Sequence, residues 1–225
     1  MPSSAAEYDS TRSAWRDRLL CALVPHAVHR LGNLLTVVSG TAELLALESD
    51  HADSEVRATS LKSITSESAR AHALIRALGH HARALRGAPA AVDLHELLES
   101  QAELIEPVAK AVGLPFEVLP SSGMTVARAD AGGVQLAVTG LVVELLRPET
   151  MAQARVGQTT LRAVGLGTRT VLVLSVRVRE GDPLVVEPLS AEALGLCASL
   201  GATVRLRALP NGRGASVMLG LPALT

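Results

Sequence analysis

Val28-His29-Arg30-Leu31-Gly32-Asn33-Leu34-Leu35-Thr36 is the segment from which the architecture can be reasoned out. It sits inside a run in which Cys21, Val24, Val28, Leu31, Leu35, Val38, Ala42 and Leu45 recur at alternating steps of three and four. That is the repeat of a helix packed along a seam against other helices. The spacing predicts one helix over residues 10–47 with these positions in its core. A second apolar stripe, Leu20, Ala27, Leu34, Val37 and Leu44, widens the buried arc. At about 100° per residue, His29 falls on the opposite side with Asn33 and Thr36 beside it, so its imidazole faces solvent.

Working outward, residues 48–54 read as a short polar turn rich in capping side chains. Leu61, Ile64, Ser68, Ala71, Ile75, Leu78, Ala82 and Leu85 repeat the seam in a second helix, which Gly87-Ala88-Pro89 ends. Two such helices form an antiparallel hairpin over residues 1–88. Each carries more apolar arc than one partner covers, and a homodimer forming a four-helix bundle would bury the excess. Pro89-Ala90-Ala91 reads as a linker, after which the periodicity changes. Helices are expected over residues 93–112, 131–146 and 190–200. Strands are expected over 115–119, 125–128, 159–164, 170–179, 203–208 and 215–219. The expected fold class is α+β: a long helical hairpin followed, over residues 89–225, by an α/β sandwich of three helices on a mixed sheet.

Composition narrows the function. Aromatic residues make up 1% of the chain, only Tyr8, Trp15 and Phe116, so no platform exists for stacking bases. A net charge of -1 implies no basic field for phosphate backbones or anionic lipid. Neither a nucleic-acid nor a membrane partner is expected, and another protein is. Cys21 and Cys197 fall in apolar helical patterns and read as buried thiols of a cytoplasmic protein.

His29 is the candidate site, with His26 one turn earlier as the competing histidine. Gly32, unfavourable in a helix interior, either makes room for a partner beside His29 or answers a packing need. His80-His81 reads as a solvated helix end, because no ligand carboxylate or thiol is suitably spaced. Asp130 reads as a cap for the following helix and Glu144 as a surface charge. Gly212 and Gly214 read as a hairpin turn.

Val28 to Thr36, followed by Gly40, Ala42, Glu43, Leu44 and Leu45, resembles the phosphoacceptor box of two-component sensor histidine kinases. In that box His29 takes the acceptor position and Asn33 the amide position. Val92 to Leu98, Ala129-Asp130, and Asn211 to Ala215 resemble, in order, the start, middle and end of the family's ATP-binding domain. The departures are specific. Gly140 and Glu144 stand where such kinases place the paired Asn that hold magnesium and nucleotide. No Asp-x-Gly-x-Gly loop is present, the nearest candidate being Glu180-Gly181-Asp182-Pro183. Eleven residues between Asp182 and Leu194 are too few for a lid, of which Leu194-Gly195-Leu196 is the remnant. Arg30 replaces the acidic base after the acceptor, and a guanidinium accepts no proton.

The residues then resemble histidine phosphotransferases built on a degenerate kinase core, of the ChpT-like and sporulation-phosphorelay type. That resemblance implies a homodimer relaying a phosphoryl group between aspartates of response-regulator receiver domains, including that of a hybrid histidine kinase. His29 would be the acceptor, Asn33 would orient phosphate or water, and Arg30 would attract the phosphoryl group or position the receiver. No cofactor of its own is implied, since the receiver brings Mg2+. A non-catalytic dimeric scaffold or inhibitor of a kinase or response regulator is the alternative.

Overall fold

The computed structural model describes residues 5–47, 54–83, 88–147, 154–181, 188–210 and 213–224. Residues 48–53 of the turn expected at 48–54, Leu85, Gly87, Asp182-Pro183 and Asn211-Gly212 lie outside them. Two long helices, α1 (Ala5–Leu47) and α2 (Ser54–Arg83), form the hairpin. Pro25 lies inside α1 and removes the backbone N–H that would bond the Cys21 carbonyl.

The stripe that α1 buries is rotated from the expected seam. Trp15, Leu19, Leu23, Ala27 and Leu34 are buried, whereas Val24, Val28 and Leu35 are 41%, 61% and 50% exposed. Cys21, read as buried, is exposed as well. On α2, Leu74 and Ala77 are buried while Leu61 and Ile75 are open. The physical reason is that α1 packs against α2 and also against the helices of the second domain, so the face that meets those helices is the one buried.

Ala90 and Ala91, read as part of a linker, and Asp93, read as the start of a helix, instead belong with Val92 to β1 (Ala90–Asp93), antiparallel to β3 (Val126–Ala129) from Ala90↔Ala129 to Asp93↔Val126. Pairing satisfies backbone groups that an open linker would leave to water. Asp93 then caps α3 (Leu94–Ala111), accepting from the His95 backbone N at 2.8 Å and from Thr125 Oγ1 at 3.0 Å. Gly113 at φ +77 stops that helix.

The remaining elements are β2 (Phe116–Val118), α4 (Ala131–Leu145), β4 (Ala154–Leu166), β5 (Arg169–Gly181), α5 (Ala191–Ser199), β6 (Thr203–Ala208) and β7 (Gly214–Pro222). The main sheet runs β2-β4-β5-β7-β6, with β2/β4 parallel and the other pairs antiparallel. Period-two alternation fixes its inner face: Leu161, Leu172, Leu174, Val176, Val217 and Leu219 are buried with Leu136, Val138 and Leu141 of α4. The observed architecture is the helical hairpin followed by a helix-on-sheet domain that the sequence leads one to expect.

His81, read as part of a solvated helix end, is not solvated, and the side chain of His80 lies outside the described residues. His81 is 0% exposed, with Nε2 2.7 Å from Gln101 Oε1 of α3 and 3.1 Å from Thr139 Oγ1 of α4, both also buried. The hairpin therefore plugs a polar side chain into the helix layer, where it finds partners that its own helix cannot supply.

Candidate functional site

His29 is exposed on α1, as its helical phase requires. Asn33, one turn on, places Nδ2 3.4 Å from His29 Nε2, a long contact between two exposed side chains. Thr36 takes no part in it, because its hydroxyl donates back to the Gly32 carbonyl at 2.9 Å. A Cβ added at Gly32 would meet nothing within 4 Å, so no packing need among the described residues explains this glycine.

The C-terminal half of α3 forms the other wall of a cleft over this surface. His26, His29, Arg30 and Asn33 from α1 face Glu106, Pro107, Lys110 and Ala111 from α3 across about 330 Å³. Arg30 does not project freely from α1. Its Nη2 lies 3.6 Å from Glu106 Oε2 and 4.0 Å from Glu103 Oε2, and the side chain is 21% exposed. Arg70 of α2 reaches Glu103 at 3.5 Å, and Lys110 reaches Glu106 at 3.3 Å. This ionic cluster ties both hairpin helices to α3. Burial pushes the Glu103 carboxyl above its ordinary value of 4.5, outweighing the attraction of Arg70 and Arg30.

Lys110 is, with Glu106, Pro107 and Ala111, a cleft residue that the motif does not reveal. It lies far from His29 in sequence, and only the docking of α3 on α1 brings its ammonium to the cleft.

The residues at the positions expected for nucleotide are committed to other contacts. Trp15 of α1 lies on Gly140 of α4 so closely that a Cβ at Gly140 would sit 2.7 Å from Trp15 Cζ2 and 2.8 Å from Nε1. The indole is 4% exposed, and the Arg18 guanidinium stands 5.6 Å from its centroid. Asp130 occupies the N-cap of α4, but its side chain makes no capping bond and pairs instead with Arg12 at 2.8 Å. The α1 guanidinium offers a charged donor that outcompetes the backbone N–H. Glu144 is buried rather than a surface charge. It accepts from the Ser190 backbone N at 2.9 Å and from the Ser190 hydroxyl, and pairs with Arg147 at 3.3 Å. Ser190 in turn caps α5 by accepting from the Ala193 backbone N at 3.1 Å.

Leu194-Gly195-Leu196 lies inside α5 and forms no loop. Gly214 at φ +147 passes so close to the Val176 carbonyl that no side chain fits, in keeping with a tight turn into β7. Cys197 is buried, and burial with the nearby Glu144 carboxylate pushes its thiol up to about 12. Among the described residues no His, Cys, Asp and Glu side chains group to hold a metal ion. Among the same residues no helix is long and apolar enough to cross a membrane.

No family model matches the chain, and no curated protein matches it. Among solved structures it is similar to the Acinetobacter baumannii histidine kinase AdeS, at 13% identity over 88% of this chain and 98% of that one, with a TM-score of 0.47. It is similar to a bacterial phosphotransferase at 16% identity over 97% and 98% of the two chains, TM-score 0.44. It is also similar to the histidine kinase domain of a blue-light activated kinase from Erythrobacter litoralis, at 17% identity over 84% and 95%, TM-score 0.44.

Proposed function

We propose that the protein is a histidine phosphotransferase of two-component signalling, relaying a phosphoryl group between receiver-domain aspartates through His29 without using ATP. The observation that carries this reading is His29 itself: an exposed imidazole at the mouth of a cleft, with the Asn33 amide near Nε2. In the reaction Nε2 attacks the phosphorus of an aspartyl phosphate in line. The N–P bond forms as the acyl O–P bond breaks, the aspartate leaves as carboxylate, and the imidazole sheds its remaining proton to solvent. The reverse step phosphorylates the next receiver. The charge that neutralises the transferring group would come from Mg2+ brought by the receiver. The Asn33 amide swings from Nε2 to a phosphoryl oxygen, and Lys110 supplies positive charge at the cleft rim. Arg30, held between Glu103 and Glu106, acts by fixing α3 against α1 as well as by its charge.

Independence from ATP is supported by Trp15 covering Gly140 and by the engagement of Glu144 with Ser190 and Arg147. The exposed Val24, Val28, Leu35, Leu61 and Ile75 supply the surface on which two copies would form a four-helix bundle in the cytoplasm.

The test is transfer from a phosphorylated receiver domain to the full chain, followed as acid-labile, base-stable label. His29→Gln abolishes label while His26→Gln retains it; label persisting on His29→Gln refutes the assignment. Receiver binding without transfer would instead favour a non-catalytic scaffold or inhibitor.

A further inference from the structure

The main sheet turns its second face away from the helix layer, and therefore away from His29. On that face charge is segregated in a way that the net charge of -1 hides. Arg162 on β4, Arg169 and Arg177 on β5, and Arg205 and Arg207 on β6 are all exposed. None of the five forms an ion pair with a described residue. The carboxylate of Glu117 on edge strand β2 is occupied by Gln158 at 2.8 Å.

Register sets what lies between the cations. Across the sheet Arg162 pairs with Val173, Val173 with Met218, and Met218 with Arg205. One row thus reads cation, apolar, apolar, cation over four strands. Val171, one pleat along β5, extends the apolar centre, and it, Val173 and Met218 are all partly exposed. Three strand spacings put the flanking arginines roughly 14 Å apart. An α-helix with its side chains is about 10–12 Å across.

We infer that this sheet face is a docking surface for an acidic amphipathic helix of a partner protein, its apolar ridge on Val171, Val173 and Met218 and its flanking carboxylates on the arginines. An apolar centre inside a rim of forked guanidiniums is the anatomy of a protein interface. Duplex DNA would leave that centre facing phosphates, and single strands would find no aromatic side chain there. This surface is independent of the phosphoacceptor reading, and neither stands or falls with the other.

The test uses the full chain and a synthetic helical peptide with a leucine stripe flanked on both sides by glutamates, followed by fluorescence anisotropy. A peptide of the same composition with the glutamates moved onto the stripe is the control. The expected result is saturable binding of the first peptide only, weakened at least tenfold by Arg162→Glu with Arg205→Glu and likewise by Val173→Asn. Unchanged thermal unfolding certifies each variant, and receiver-to-His29 transfer is unaffected by them. The inference is overturned by absence of saturable binding, by equal binding of the control peptide, by duplex DNA displacing the peptide as well as the peptide itself does, by indifference to these substitutions, or by self-association of the chain through this face.

Discussion

Gly140→Ala places a methyl group 2.7 Å from Trp15 Cζ2, 2.8 Å from Nε1 and 3.0 Å from Cε2. The indole is buried and cannot swing into solvent without uncovering the face of α4. Overpacking of this kind costs about 1–3 kcal/mol. Replacing glycine inside a helix by alanine returns about 1 kcal/mol. The net loss in the otherwise unaltered protein is then ~0–2 kcal/mol. Trp15→Ala alone removes a large buried ring and costs about 3–5 kcal/mol. In that background the clash is gone and only the helix term survives, so Gly140→Ala changes sign and stabilises by about 1 kcal/mol. The coupling between the two sites is therefore ~1–3 kcal/mol. Urea unfolding followed by circular dichroism on the four members of the cycle, at one protein concentration because association shifts apparent stability, measures it. Effects that add to within about 0.5 kcal/mol would mean that Trp15 is not seated on Gly140.

Other outcomes follow from the same packing. Native protein titrated with a thiol reagent reacts rapidly at exposed Cys21 and not at buried Cys197, whose thiol is held at about 12; two fast equivalents would contradict the packing of α5. Because the folded Glu103 carboxyl titrates above 4.5, its contribution to stability is greatest below that pH. It is lost as pH rises through the raised value. Glu103→Gln therefore flattens the fall in stability from acid towards neutral pH, and an unchanged profile by chemical denaturation would count against the assignment. Gln101→Leu leaves His81 Nε2 without its nearer partner and destabilises by about 1–3 kcal/mol, read as a lowered urea midpoint.

What was legible in the sequence was local. The outward phase of His29 and Asn33, the helix starts at Asp93 and Ser190, the Gly113 stop and the alternation in β4, β5 and β7 depend on neighbours a few residues away. They are found where their spacing puts them. What was hidden depends on pairings across tens of residues. The seam of Val24, Val28 and Leu35 carries the right period, yet which apolar stripe a helix buries is decided by the elements that dock on it. His81 looks like a helix end until α3 and α4 supply Gln101 and Thr139. Arg30 reads as a free cation until α3 presents Glu106 and Glu103, and Lys110 enters the cleft by the same docking. Net charge, as a sum, could not reveal arginines gathered on one sheet face.

Trp15 is also the single tryptophan of the chain. Ultraviolet-excited emission at wavelengths selective for indole therefore arises from one place, the contact between α1 and Gly140. Buried there it emits to the blue, and any event that lifts the first turns of α1 off the second domain moves the band to the red. The protein thus carries its own optical gauge of interdomain engagement, free of background and requiring no attached dye.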